Sequence, residues 1–380
     1  MINYSIVRSP SYVLEESLLR KNLERLRSVQ QRAGVDIILA FKGFAMWSAF
    51  PLVRQYLVGA TASSLNEAKL CFEEMKTFAH TYSPVYVPDD FAGILKYSSH
   101  ITFNSIGQYE RYKAQVKRYK VRKVSCGIRV NPEYSEVETA LYNPCAPGSR
   151  LGELFERFVD GLPEGVEGLH FHALCESSSY ELEKVLVNLE EKFGHLLPQI
   201  KWLNMGGGHL ITRADYDVDH LVGLLNSFKA RHPHLRIILE PGSAVAWQTG
   251  VLVSTVLDIF DNRGEKTLML DVSFTAHMPD CLEMPYRPKI TGGTDPVAGK
   301  PTYRIGGTSC LSGDFMEAYS FEHPIEIGDQ IIFEDMIHYT MVKTTMFNGV
   351  AHPDIAIWRE DDRLDVMRRF GYLDYKRRLS

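Results

Sequence analysis

Eight short apolar runs between residues 36 and 240, most of them separated by amphipathic stretches, constrain the fold of this chain more than any other feature. They lie near 36–42, 57–60, 77–83, 100–104, 124–131, 167–173, 201–205 and 235–240. Apolar residues at helical spacing fill most of the gaps, at 66–75, 108–119, 180–193 and 217–231. Strands that read as unbroken apolar runs are buried on both faces, the habit of parallel sheets with helical crossovers. Eight such units predict a parallel (β/α)8 barrel. A first helix precedes them. Ser11 is placed to cap it, Leu14, Leu18, Leu19, Leu23, Leu26 and Val29 follow helical spacing, and Gly34 stops it.

Past residue 250 the rhythm changes. Strand-like runs at 251–260, 267–273, 302–306, 329–333 and 339–347 are punctuated by turn signals such as Asn262-Arg263-Gly264 and Gly328-Asp329. A helical pattern returns only in the tail at 359–370. The expected organisation is an α/β barrel domain over 11–250 and a β-rich domain, barrel or sandwich, over 251–380. Residues 1–10 are candidates to pair into the second.

Composition narrows the function classes. A net charge of -5 and a pI near 6.2 give no reason to expect nucleic acid or an anionic membrane as a partner. No apolar run approaches the length of a membrane span, and the first residues lack the basic segment and apolar core of a signal peptide. Cysteines at 71, 126, 145, 175, 281 and 310 show no metal-like spacing and fit a reduced, cytoplasmic protein.

If the barrel is right, functional groups cluster at the C-terminal ends of its strands. Lys42 ends Ile37-Ile38-Leu39-Ala40-Phe41-Lys42. An amine that loses solvation there is more easily neutral and can attack a carbonyl. A lysine that snorkels to water is the alternative. Gly206, Gly207 and Gly208 follow Trp202-Leu203-Asn204-Met205, where converging backbone N–H groups can meet a phosphate, or where the chain needs a tight turn. Glu240, held by Pro241-Gly242, can pair with a protonated ring nitrogen as pyridoxal phosphate chemistry requires, or form a structural ion pair. His170 and His172 lie two apart and so on one side of their strand, able to stack on a ring or sit satisfied in the core. A metal reading of that pair lacks a third ligand. In the β-rich region, Gly306-Gly307-Thr308-Ser309-Cys310-Leu311-Ser312-Gly313-Asp314 carries a thiol and a carboxylate on a small-residue loop, either functional or a hairpin turn.

Taken together these motifs resemble the pyridoxal-phosphate-dependent decarboxylases with an alanine-racemase-like barrel, among them the ornithine and diaminopimelate decarboxylases. The likeness rests on Ala40-Phe41-Lys42, Arg129-Val130-Asn131-Pro132, Ser149-Arg150-Leu151-Gly152, Gly168-Leu169-His170-Phe171-His172, the glycine triplet, Glu240-Pro241-Gly242, Cys310-Leu311-Ser312-Gly313-Asp314 and Tyr339-Thr340, in that order. It implies that Lys42 carries pyridoxal 5'-phosphate as an imine and that His172 stacks on the ring. It implies that the triplet, Gly242 and Tyr339 bind the phosphate. Glu240 would hold the pyridine nitrogen, which favours a decarboxylase over a racemase. Cys310 would protonate the carbon left by carbon dioxide, and Asp314 would contact the substrate's distal amine. The Cys310 loop would enter a partner subunit's site, which implies a homodimer. The segment 277–288, His-Met-Pro-Asp-Cys-Leu-Glu-Met-Pro-Tyr-Arg-Pro, resembles the carboxynorspermidine (carboxyspermidine) decarboxylase subgroup of polyamine biosynthesis, as does the 380-residue length. Leu311 after the cysteine and Ser243 after Glu-Pro-Gly depart from the diaminopimelate enzymes. For a long cationic substrate, Asp280, Glu283 and Asp314 are the candidate acids, Asp280 and Glu283 being equally readable as solvated loop acids. Decarboxylation of diaminopimelate, ornithine or arginine, and a non-catalytic regulator of the same fold, are the alternatives.

Overall fold

The computed structural model describes residues 2–137, 139–283 and 286–380. Met284 and Pro285, inside the 277–288 motif, lie outside the described residues. The chain divides into two compact units, Asn22–Val245 on one hand and Met1–Lys21 with Ala246–Ser380 on the other.

The start of the chain differs from its sequence reading. Ser11 does not cap a helix: Ser11–Glu15 is a strand, β1, and the helix runs Glu16–Ala33. Ser11, Tyr12, Val13 and Leu14 are all at most 3% exposed. A segment buried on both faces between two neighbouring strands takes their ladder hydrogen bonds, which outweigh its local helical spacing. Of the rest of the expected stripe, Leu18 is only half-buried, but the others hold. Leu19, Leu23, Leu26 and Val29 are fully buried, and Gly34, with φ +57, ends the helix in the left-handed conformation glycine favours.

In the Asn22–Val245 unit all eight predicted strands form: β2 (Asp36–Ala40), β3 (Gly59–Ala62), β4 (Ala79–Ser83), β5 (Ser98–Phe103), β6 (Ser125–Arg129), β7 (Val166–His170), β8 (Trp202–Asn204) and β9 (Arg236–Leu239). They close into a barrel in sequence order, with β9 parallel to β2. The predicted helices follow, Ile106–Arg118 capped by Ser105, Ser179–Phe193 by Ser178 with Glu181, and Val218–Arg231 by Asp217. Only the helix at 66–75 departs, running Leu65–Leu70 and then widening into a π turn at Cys71–Met75. Trp202 accounts for two glycines. A Cβ on Gly127 or Gly168 would lie 2.3 or 2.1 Å from its ring, and its indole N–H donates to Ser125 Oγ at 2.9 Å.

The other unit is a mixed sheet of β1 with β10 (Gly250–Asn262), β11 (Glu265–Leu270), β12 (Thr302–Gly306), β13 (Phe315–Ser320), β14 (Gln330–Glu334), β15 (Asp354–Trp358) and β16 (Leu364–Arg368). The order is β13-β12-β11-β10-β1-β15-β16, with β14 also on β10. Val13, Val251, Val253, Ala356 and Trp358 pack as one core. The expected strand at 339–347 is absent. Tyr339 takes a positive φ of +43 and the chain continues as a short 3-10 turn, Met341–Lys343. The expected tail helix at 359–370 gives way to β16, which pairs antiparallel with β15. Helix appears later, at Tyr372–Leu379.

Candidate active site

Strand order brings the four predicted barrel segments side by side, because β7, β8, β9 and β2 are consecutive neighbours around the barrel. Beyond the strand ends their backbones stay linked. Phe171 N–H donates to the Asn204 carbonyl at 3.0 Å, Met205 to Ile238 at 2.8 Å, Glu240 to Gly206 at 2.7 Å and Ala40 to Pro241 at 3.0 Å. The mouth is thus one continuous backbone surface, and its side chains start from fixed positions.

Lys42 is exposed, in a turn closed by a bond from Gly43 N–H to the Ala40 carbonyl. The expected desolvation of this amine is not what the fold provides. The strand stops at Ala40, and the buried residue of the turn is Phe41, stacked on Phe50 with ring centres 5.0 Å apart. Gly43 faces Gly242 so closely that a Cβ would sit 2.8 Å from its backbone. The lysine turn and the Glu240-Pro241-Gly242 turn are therefore locked together.

Glu240 is set up as an anion. Burial pushes its carboxyl up, but His170, Asn204 and Thr61 override that and hold it below the usual range. Asn204 Nδ2 donates to Oε1 at 2.5 Å, and His170 Nε2 stands 3.4 Å from Oε2. His170 is 2% exposed, with its ring 5.2 Å from that of Tyr82. Asn204 went unrecognised in the sequence. The available signal was a polar residue closing the apolar run Trp202-Leu203, two places before Gly206.

His172 lies past the end of β7 and is half-buried. Its Nδ1 accepts the Gly207 N–H at 3.1 Å, which leaves the proton of the neutral ring on Nε2. Burial, then the nearby charge of Lys42, holds its pKa well below the ordinary histidine value. The glycine triplet is required by packing. Added Cβ atoms on Gly206, Gly207 and Gly208 would lie 2.4 Å from the Phe171 carbonyl oxygen, 2.1 Å from that of Glu240 and 2.0 Å from that of Leu174. Two of its donors are already engaged, Gly206 N–H by Asn204 Oδ1 at 2.9 Å and Gly207 N–H by His172.

The sheet unit carries the remaining predicted residues. Cys310 is exposed on the loop after β12. Asp314, 4% exposed, accepts the Thr275 N–H on Oδ1 at 3.1 Å and the Ser309 N–H on Oδ2 at 3.0 Å, and so shapes the cysteine's loop. Asp280 is 7% exposed. The hydroxyls of Thr340 and Tyr286 donate to its Oδ2 at 2.8 and 3.0 Å, while Oδ1 has no partner among the described residues. Glu283 is exposed and pairs with Lys343. Tyr339 is half-buried at its strained positive φ, a conformation that clusters at functional sites. Thr340 was singled out with Tyr339 in the sequence, but only the fold links it to Asp280.

The barrel-mouth residues fit pyridoxal phosphate. An exposed amine on a rigid turn can form the imine, an ionised carboxylate can hold the ring nitrogen's proton, and an oriented imidazole offers a flat face. These features define a pyridoxal-dependent enzyme of the decarboxylase fold, and the chain belongs to that family: the family described as pyridoxal-dependent decarboxylase, C-terminal sheet domain, matches residues 12–337. Among curated relatives, a carboxyaminopropylagmatine decarboxylase of Synechocystis sp. is 52% identical, covering 99% of this chain and 96% of that one. A carboxynorspermidine/carboxyspermidine decarboxylase of Campylobacter jejuni is 42% identical over 99% of both. The crystal structure of Campylobacter jejuni carboxynorspermidine decarboxylase complexed with norspermidine superposes with a TM-score of 0.91 at 41% identity, covering 98% of this chain and all of that one. The chain is a pyridoxal-phosphate-dependent decarboxylase.

Proposed function

We propose that this enzyme removes carbon dioxide from a carboxylated polyamine, carboxynorspermidine or carboxyspermidine, releasing norspermidine or spermidine. The observation that carries the decarboxylase chemistry is Glu240, held at the barrel mouth beside the Lys42 turn, and the polyamine substrate is supported by the 42% identity to a carboxynorspermidine/carboxyspermidine decarboxylase. When bound, pyridoxal phosphate supplies the electron sink for the pair left by the broken carbon–carboxylate bond. Lys42 would form the covalent link to it. Glu240 would keep the proton on the ring nitrogen. His172, neutral and fixed by Gly207, would offer its flat face to the ring, the triplet and Gly242 would hold the phosphate, and Tyr339 would be a further phosphate ligand. Cys310 delivers a proton to the carbon that lost its carboxylate.

The substrate is a chain of ammonium groups, so its binding acids should be buried and incompletely satisfied. Asp280 meets that description with its free Oδ1. Asp314 and Glu283 already have partners. A second reading has its own support. The relative at 52% identity is a carboxyaminopropylagmatine decarboxylase, and that substrate shares the amino-acid end and secondary ammonium but terminates in a guanidinium. A carbon dioxide release assay with carboxynorspermidine, carboxyspermidine, carboxyaminopropylagmatine and diaminopimelate side by side decides. Turnover of diaminopimelate alone would sink the polyamine assignment.

The family resemblance, in which the Cys310 loop enters a partner subunit's site, supports a homodimer with shared sites, and the free thiols support a reducing compartment such as the cytoplasm. Among the described residues all six cysteines are free thiols, and no helix is long and apolar enough to cross a membrane.

A further inference from the structure

Of the two histidines in Gly168-Leu169-His170-Phe171-His172, the proposed function uses only the second. His170 closes β7 and is 2% exposed, and neither of its ring nitrogens has a hydrogen-bond partner among the described residues. It is therefore not a core histidine with its polar atoms satisfied. Buried polar atoms without partners are rare enough to need a reason. The ring is held in place. Tyr82 lies against it with ring centres 5.2 Å apart, and the Tyr82 hydroxyl is itself fixed, donating to Asn104 Oδ1 at 2.8 Å. In that orientation Nε2 stands 3.4 Å from Glu240 Oε2. The gap is just longer than a made hydrogen bond, and a small turn of the carboxylate closes it.

Charge decides what this imidazole can be. Burial lowers its pKa below the ordinary histidine value; the Glu240 carboxylate pulls the other way, and the cations of Arg129 and Lys42 add to the lowering. The neutral ring that results has one N–H. Facing a carboxylate, that proton belongs on Nε2, because a bare nitrogen there would set its lone pair against the anion's. Glu240 thus meets a neutral donor at each oxygen, Asn204 Nδ2 at Oε1 and His170 at Oε2. An imidazolium in that place would neutralise the carboxylate. A neutral donor leaves the negative charge standing and makes the carboxylate a weaker base. Resting on the cofactor assignment above, we propose that His170 is a positioning residue for Glu240, whose Nε2–H keeps the shared proton on the ring nitrogen of pyridoxal phosphate and off the carboxylate. Without that donor Glu240 becomes the stronger base and draws the proton to itself.

The test reads the proton directly. The full chain is loaded with pyridoxal phosphate labelled with 15N in its ring, and the ring-nitrogen resonance distinguishes the protonated from the bare form. The unaltered protein is expected to show the protonated form. In His170→Phe the resonance should move toward the bare form, and kcat should fall about tenfold with KM changed by less than about twofold. His170→Gln, which keeps an N–H at the reach of Nε2, should restore both. Because His170 acts through Glu240, adding His170→Phe to Glu240→Gln should lower kcat by less than about twofold further. An unmoved resonance in His170→Phe overturns the proposal, as does an undiminished loss on top of Glu240→Gln. If His170→Phe does not fold, 15N-histidine spectra of the unaltered protein decide, with His170 assigned by its loss in His170→Gln. A ring protonated on Nε2 alone supports the proposal; one protonated on Nδ1, or on both nitrogens, overturns it. A bare ring nitrogen in the unaltered protein refutes the role given to Glu240 under the proposed function, and this inference falls with it.

Discussion

The Nδ1 of His172 accepts the backbone N–H of Gly207 at 3.1 Å. That bond ties the end of β7 to the triplet after β8 and settles which nitrogen of the imidazole carries its proton. Because the pKa is also held well below the ordinary value, His172 stays neutral throughout the neutral range. The pH profile of turnover should therefore show no ionisation traceable to it between about pH 6 and 8. His172→Gln profiles compared with the unaltered enzyme check this. Loss of a limb near pH 6.5 in the variant would show that the ring titrates after all.

Lys42→Ala should abolish the visible absorbance of the bound cofactor and nearly all turnover. Borohydride reduction of the unaltered enzyme followed by peptide mapping should place the reduced adduct at position 42. An adduct at any other lysine would end the assignment.

Glu240→Gln removes the anion that keeps a ring nitrogen protonated, and leaves His170 facing a neutral amide. A fall in kcat of roughly 100-fold is expected, with a much smaller change in KM. A change confined to KM would show that Glu240 merely binds.

The two motif acids of the sheet unit should separate. Asp280→Asn neutralises a buried carboxylate whose Oδ1 is free, and should raise KM for each polyamine substrate by about tenfold or more. Glu283→Gln breaks an exposed pair with Lys343 and should change neither stability nor KM by more than about twofold. Steady-state kinetics on both variants test this; the reverse ranking would be decisive against Asp280.

A mixed dimer tests the shared site. Lys42→Ala and Cys310→Ala proteins, each inactive alone, should regain about a quarter of full activity when co-expressed, because random pairing restores one site in half the dimers. No recovery would mean that each chain completes its own site.

Acid should loosen the fold through buried neutral histidines. His209 and His277 have pKa values lowered to about 4 by burial, against about 6.5 unfolded. Between those values the unfolded chain binds more protons, so stability is full above about pH 6.5 and is lost as pH falls toward 4. The loss is about 1.4 kcal/mol per pH unit for each histidine at most. Calorimetric melting temperatures at pH 6.5, 5.5 and 4.5 should fall steadily. A flat series would mean that these rings are hydrated.

The eight barrel strands, and Lys42, His172, Gly206 and Glu240 at their ends, were legible because burial on both faces writes a continuous apolar run, and the polar or glycine residue that ends it stands out. Nothing comparable marked β1. The residues Ser11, Tyr12, Val13 and Leu14 are compatible with helix or strand, and only the presence of β10 and β15 on either side settles the matter. The same holds for β16, whose charged sequence reads as helix until β15 offers an edge.

At the site the division follows the same physics. Which residue types stand at the strand ends is written in the chain, because each is a local exception to an apolar pattern. Which of their atoms remain free is not. The inward-turned donors of Gly206 and Gly207, the exposure of Lys42, the lone Oδ1 of Asp280 and the unpaired Nε2 of His209 depend on partners distant in sequence. Hydrogen bonds reach only about 3 Å, so their distribution is decided when folding brings those partners together.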